Sequence, residues 1–217
     1  MQAEPARLRL TEIFYSLQGE ADSAGFPTVF VRLTGCPLRC QYCDTAYAFG
    51  GGQWFDIDAV MAQVQQLALQ HVCVTGGEPL AQKACVALLT RLCDAGYRVS
   101  LETSGALPFA DVDRRVVKVV DVKTPGSGEQ ERNLYAQLAD LSAHDQLKFV
   151  ICDRADYDWS RQMLSQLQRP AECTVWFSPS AEQLPARELA DWILADRLPV
   201  RLQLQLHKLL WGNVAGK

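Results

Sequence analysis

No apolar run in the 217 residues is long enough to cross a bilayer, which would take about 20 consecutive apolar residues. Basic residues are not in excess either: 21 Lys and Arg stand against 25 Asp and Glu, a net charge of −4, so no positive field is present to hold nucleic acid. Internal repeats and low-complexity tracts are missing, and Met1-Gln-Ala-Glu-Pro-Ala-Arg7 lacks the basic and apolar regions of a secretory leader. The expected setting is the cytoplasm, with small-molecule partners, no membrane and no nucleic acid, and with the eight cysteines reduced rather than paired. At 48% hydrophobic and 21% charged residues, one core and one domain over residues 1–217 is the simplest arrangement.

The cysteines are unevenly placed. Cys73, Cys85, Cys93, Cys152 and Cys173 fall singly in or beside apolar strand and helix patterns and read as small core residues. The other three lie within eight residues, Cys36-Pro-Leu-Arg-Cys40-Gln-Tyr-Cys43, directly after an apolar run at 28–33 that reads as a buried strand. A structural zinc knot needs four ligands, and no second cysteine pair or nearby histidine supplies the fourth. A cubane iron–sulfur cluster has four irons, so three thiolates hold three corners and leave one iron open to an outside ligand. Further on, Thr75-Gly76-Gly77-Glu78-Pro79 joins a short strand to a helix. Its glycines let the backbone approach a ligand and Glu78 offers an acceptor for an ammonium, although an ordinary turn with Pro79 at a helix start uses the same residues.

The rest of the chain alternates between strand and helix signals. Residues 7–15 suit a first strand, followed by the polar turn Ser16-Leu17-Gln18-Gly19-Glu20. Gly50-Gly51-Gly52 reads as a flexible joint before a helix from about Asp58, where Val60, Met61, Val64 and Leu67 recur at helical spacing. Strands are expected at 71–75, 97–101, 116–120, 147–151, 174–177 and 200–206; helices are expected around Leu88, Leu89 and Leu92 and near 134–141, 157–167 and 187–194. Repeated βα units imply parallel strands. Polar residues gather just past the strand ends, where parallel α/β architectures carry their sites. A full eightfold barrel takes about 250 residues, so the expected fold class is α/β, a partial, open (β/α) barrel.

Two features leave alternatives open. Arg32 is a cation inside an apolar strand and needs an anionic partner, either a substrate carboxylate or a carboxylate of the chain itself. The last strand would place Val200, Leu202, Leu204 and Leu206 on one face and Arg201, Gln203, Gln205 and His207 on the other, with the polar face either solvated or turned into the barrel.

The spacing CxxxCxxC together with Thr75-Gly-Gly-Glu-Pro79 resembles the radical S-adenosylmethionine (SAM) superfamily. The ordered set Tyr15-Ser-Leu-Gln-Gly-Glu20, Gly35-Cys36-Pro, Cys43-Asp44-Thr45, Thr75-Gly-Gly-Glu-Pro, Glu102-Thr-Ser-Gly105 and Gln205-Leu-His-Lys208 resembles one family within it, the 7-carboxy-7-deazaguanine synthases, along nearly the whole chain. The resemblance implies that Cys36, Cys40 and Cys43 hold a [4Fe–4S] cluster. It further implies that Tyr42, Asp44, Gly77, Glu78, Ser104, Asp121, Val122 and Lys123 meet SAM. Thr45 would offer its hydroxyl to Mg²⁺, a hard cation that prefers oxygen. Leu17, Gln18, Gly19, Arg32, Thr75, Gln205 and His207 would meet a pterin substrate. The implied reaction converts 6-carboxy-5,6,7,8-tetrahydropterin to 7-carboxy-7-deazaguanine with loss of ammonia, through a 5′-deoxyadenosyl radical that abstracts hydrogen at C6, in the route to queuosine. The implied partners are an electron donor such as flavodoxin or ferredoxin and a second copy of the chain in a homodimer.

Two rival readings share some of these features. An activase of a glycyl-radical enzyme uses the same cluster and SAM motifs but needs an open groove for a protein partner, and Arg32 and Gln18 speak for a polar pocket instead. A non-catalytic iron–sulfur or zinc protein would leave Gly76-Gly77-Glu78 and the polar strand ends without a purpose.

Overall fold

The computed structural model describes residues 6–212, 214 and 216. One sheet of nine strands runs through it: β1 (Arg7–Leu17), β2 (Pro27–Leu33), β3 (Gln53–Asp56), β4 (His71–Gly76), β5 (Arg98–Thr103), β6 (Val117–Asp121), β7 (Gln146–Ile151), β8 (Thr174–Pro179) and β9 (Arg201–Leu202). The order is β3-β1-β2-β4-β5-β6-β7-β8-β9, with β1 antiparallel to both its neighbours and every pair from β2–β4 onward parallel. The sheet does not close on itself, so the expected open α/β barrel is what forms.

Helices α1 (Ile57–Gln66), α2 (Ala84–Asp94), α3 (Arg154–Gln166) and α4 (Ala186–Asp196) cover the sheet, and α5 (Leu206–Trp211) follows β9. Each of the first four presents an apolar stripe at helical spacing, and in α2 that stripe is Cys85, Leu88, Leu89 and Leu92, all fully buried. Burying one such leucine is worth about 1.5–3 kcal/mol, which explains why α2 forms without a side-chain N-cap. The middle of β4 is apolar on both faces, as Val72-Cys73-Val74 shows, whereas in β7 Leu147 and Phe149 share one apolar face and Lys148 occupies the other. No helix of the described residues is long and apolar enough to cross a membrane.

Three expectations about local structure change. Residues 134–141 form a 3₁₀ turn at Tyr135–Asp140, not an α-helix, and no α-helix connects β6 to β7. Gly52 is not a loose joint: its φ is +72°, and a Cβ there would meet Thr34 Oγ1 at 2.2 Å and the Leu10 carbonyl at 2.6 Å, so the turn is packed against β1. The last strand shrinks to Arg201–Leu202, because Gln203 N gives the final ladder bond to Phe177 O and Leu206 N is captured by Gly19 O, which turns the chain into α5. Its alternation therefore does not describe a buried face: Leu202 and Leu204 are exposed and Gln203 is buried.

Candidate active site

A cavity of about 750 Å³ opens at the carboxyl ends of the strands, inside the size range of small-molecule sites. The three clustered cysteines form one wall of it. Their loop starts at Gly35, whose φ of +100° suits glycine, and is held by Gly35 N to Ala48 O at 2.7 Å and Glu78 N to Gly35 O at 2.8 Å. Arg39 lies over the Phe49 ring and donates to the Cys36 and Leu38 carbonyls, which cross-braces the loop. Gly77 packs directly beneath: a Cβ there would sit 2.3 Å from Gly35 O and 2.8 Å from Cys36 Cβ. Gly76 is needed for a separate approach, since a Cβ there would sit 2.3 Å from Leu33 O.

All three thiols are free and half-buried. Burial pushes the Cys40 thiol up to about 11 against the pull of Lys123, so metal binding at this residue must displace a proton. Among the described residues no three His, Cys, Asp or Glu side chains converge on a single metal ion. A cubane asks each thiolate for a different iron, and three cysteines spread along one loop at a cavity wall suit that demand.

Beside the cysteines, Tyr42 Oη and Asp121 Oδ1 are buried without a hydrogen-bond partner in the protein. Such atoms cost free energy unless a ligand meets them, and both border the cavity. Lys123 Nζ pairs with Asp121 Oδ2 at 2.9 Å and lies 5.8 Å from the Tyr42 ring centroid. Burial works against the charge of Lys123, but Asp121 and its neighbours outweigh it and hold the ammonium above its usual pKa. Gly77 and Ser104 line the same wall.

Two residues expected to meet SAM do not face the cavity with their side chains. Val122 is 2% exposed and part of the hydrophobic core, because its strand neighbours alternate and its N–H is bonded to Lys148 O. Glu78 is fully buried, and its carboxylate accepts from Leu80 N, Thr103 Oγ1, Ser104 N and Ser104 Oγ at 2.6–3.0 Å. Its work is to join the ends of β4 and β5, which fixes Ser104 in the cavity wall.

The same cavity carries the residues expected for the substrate. Leu17, Gln18, Gly19, Arg32, Thr75, Gln205 and His207 all border the cavity. Arg32 Nε donates to Glu12 Oε1 at 2.7 Å, Tyr47 Oη donates to the same oxygen at 2.8 Å, and the guanidinium lies near the rings of Phe14 and Tyr47. Arg32 thus has the partner within the chain that one of its two readings required. Thr75 Oγ1 donates to Glu102 Oε2 at 2.8 Å. Gln205 Nε2 donates to Glu20 Oε1 at 2.7 Å, and Lys148 pairs with the other oxygen of Glu20. A Cβ on Gly19 would collide with His207 Nδ1, so the two pack face to face, and burial holds the His207 imidazole below its usual pKa. Thr45 borders the cavity with its hydroxyl on Asp44 Oδ1 at 2.8 Å, and Lys208 Nζ donates to Asp44 Oδ2 at 2.7 Å.

Five charged groups in the cavity wall had been given no role as site residues: Glu20, Glu102, Lys148, Glu182 and Lys208. A signal for Lys148 existed, since it interrupts the apolar run of β7 as Arg32 interrupts β2.

Comparison with known proteins places this geometry. Residues 30–121 match the Radical SAM superfamily, the class that an open α/β sheet with a three-cysteine loop at its strand ends defines. The chain is 45% identical to 7-carboxy-7-deazaguanine synthase of Chlorobaculum tepidum, over 95% of this chain and 96% of the relative. It is 43% identical to the protein of the same name from Koribacter versatilis, over 94% and 97%. In fold it is similar to the crystal structure of QueE from Escherichia coli, with a TM-score of 0.77 at 22% identity, covering 93% of this chain and 95% of that one. The chain belongs to the 7-carboxy-7-deazaguanine synthase family.

Proposed function

We propose that this chain is a radical SAM lyase that converts 6-carboxy-5,6,7,8-tetrahydropterin to 7-carboxy-7-deazaguanine with release of ammonia. The observation that carries this reading is that the cysteine loop, the Gly76-Gly77 turn and Arg32 open onto one cavity in a chain related over nearly its full length to synthases of that name. When bound, a [4Fe–4S] cluster on Cys36, Cys40 and Cys43 with SAM on its open iron supplies an electron and a radical able to abstract hydrogen from carbon.

The chain's own residues orient the reactants. Tyr42, Asp44, Gly77, Ser104, Asp121 and Lys123 form the wall for SAM, with Asp121 Oδ1 and Tyr42 Oη as its unpartnered polar atoms. Arg32 meets the substrate carboxylate, and Gln18, Thr75 and Glu102 present a donor and acceptor array to the heterocycle. His207, Gln205 and Gly19 close the cavity from the side and exclude water, which a carbon radical requires. Thr45 offers its oxygen to Mg²⁺ and Asp44 keeps a negative charge beside it.

The unpaired thiols suit a reducing cytoplasm, and the single sheet suits one radical SAM core domain over residues 1–217. We assign the electron to a flavodoxin- or ferredoxin-type donor and the assembly to a homodimer, which anaerobic reduction assays and light scattering check.

Anaerobic reconstitution followed by assay with the carboxytetrahydropterin tests the reading. A deazaguanine chromophore forms with the native chain; Cys36→Ala, Cys40→Ala and Cys43→Ala abolish SAM cleavage, whereas Cys85→Ala retains it. Full activity of Cys40→Ala overturns the cluster assignment. Thr45→Val keeps its cluster and needs more Mg²⁺ for turnover; an unchanged Mg²⁺ titration places the metal elsewhere.

A further inference from the structure

Asp156 is a charged residue in the first turn of α3, 1% exposed, outside the cavity wall. Its carboxylate reaches back across the sheet ends to the segment that follows β6. Oδ1 accepts from Gly126 N at 2.7 Å, and Oδ2 accepts from Thr124 Oγ1 at 3.0 Å and from Cys152 N at 3.1 Å. The fit is close: a Cβ on Gly126 would come within 2.5 Å of Asp156 Oδ2.

The segment that Asp156 pins is itself a brace. Ser127 Oγ donates to Thr124 O at 2.6 Å and accepts from Glu129 N at 3.0 Å, which ties residues 124–129 into one turn. That unit makes two bonds to the cysteine loop. Ser127 O accepts from Gln41 N at 3.0 Å, and Glu129 Oε1 accepts from Arg39 N at 2.5 Å. Arg39 and Gln41 are the residues on either side of Cys40.

We propose that Asp156 is a positioning residue for the iron–sulfur cluster, acting through the 124–129 turn to set the backbone on both sides of Cys40. The inference rests on the proposed role of Cys36, Cys40 and Cys43. A buried carboxylate is costly to keep in a protein interior, and here three donors from a turn and a strand end compensate it. The gain is that the cluster loop is anchored to α3 and β7, not only to its own strand. Hydrogen bonding and backbone placement around the ligating sulfurs govern the potential and retention of such clusters.

The test compares Asp156→Asn and Asp156→Ala with Asp145→Asn in the reconstituted holoenzyme. Asp145 is a control of equal burial at the other end of β7, where it accepts from Lys118 N and Ser142 N at 2.7 Å and pairs with Lys118 Nζ, remote from the cysteine loop. The readouts are the electron paramagnetic resonance spectrum of the reduced cluster, its midpoint potential, and the rate at which a chelator strips iron. Asp156→Asn is expected to shift the spectrum and to speed iron loss roughly tenfold or more, the usual scale for outer-shell partners; Asp145→Asn lowers thermal stability with spectrum and iron loss unchanged. Glu129→Ala, which cuts only the last bond to Arg39 N, is expected to shift the spectrum in the same sense and keeps the test alive should the Asp156 variants not fold. Spectra and iron loss in Asp156→Asn and Glu129→Ala equal to those of the native chain overturn the proposal. Failure of the native chain itself to hold a cluster would instead reject the functional reading, a separate outcome.

Discussion

Glu12 and Arg32 face each other across the β1–β2 ladder, and Arg32 Nε donates to Glu12 Oε1 at 2.7 Å. A guanidinium carries five donors in a rigid fork, and this contact uses the one nearest the stem. The side chain is 15% exposed, near the Phe14 and Tyr47 rings, and borders the cavity. An intramolecular ion pair and the proposed substrate contact are therefore compatible in one residue: Glu12 holds Nε, and this bond leaves the two terminal nitrogens uncommitted to Glu12.

Arg32→Lys keeps the charge but cannot hold Glu12 and present a fork at once, and Arg32→Gln loses both. Each should weaken pterin binding by roughly 1.5–3 kcal/mol, the scale of a hydrogen bond to a charged group, with a much smaller change in SAM affinity. Calorimetry under anaerobic conditions measures both. A drop in thermal stability with an intact substrate Kd would reduce Arg32 to a structural partner of Glu12.

The alternation of strands and helices and the location of the site were legible because both depend on local pattern: apolar runs that turn polar at their carboxyl ends. Pairings between distant residues were not. Lys148 finds Glu20 at a separation of 128 residues; its place in an apolar strand marks it as needing an anion, but nothing local says which one. Residues 200–206 alternate like a strand, yet the segment lies at the sheet edge, and a single bond from Leu206 N to Gly19 O turns it aside. Glu78 was legible as a special residue of the Gly-Gly-Glu-Pro turn, but the direction of its carboxylate depends on Thr103 and Ser104, about 25 residues later. Asp156 gave no signal, since a carboxylate near a helix start ordinarily reads as a solvated cap.

Glu78→Gln tests the structural role of that buried carboxylate. The amide keeps one acceptor and turns a donor toward Ser104 N and Thr103 Oγ1, which have donated there. A stability loss of about 1–3 kcal/mol is expected from the unsatisfied group, measured by urea unfolding of the iron-free protein. Unchanged stability together with a large loss of SAM affinity would mean that Glu78 meets the ligand directly.

Asp44 supplies a pH test at the mouth of the cavity. Burial raises its pKa, but the hydrogen bond and charge of Lys208 and the Thr45 hydroxyl outweigh burial and hold the carboxyl at about 2. A carboxyl whose pKa is lowered by folding contributes stability above its ordinary value of 3.8, and that contribution is lost as pH falls from there to about 2. In Lys208→Met the main opposing partner is gone and burial dominates, so the Asp44 pKa should rise and the acid-sensitive window should move to higher pH. Carbon-13 titration of the Asp44 carboxyl in the iron-free protein reads this directly, free of the acid lability of a cluster. The same substitution separates α5 from the cysteine loop, because Lys208 to Asp44 is a bond between them. An Asp44 titration curve identical in the native chain and Lys208→Met would show that this bond does not hold the carboxyl down, and that Thr45 and the remaining charges suffice.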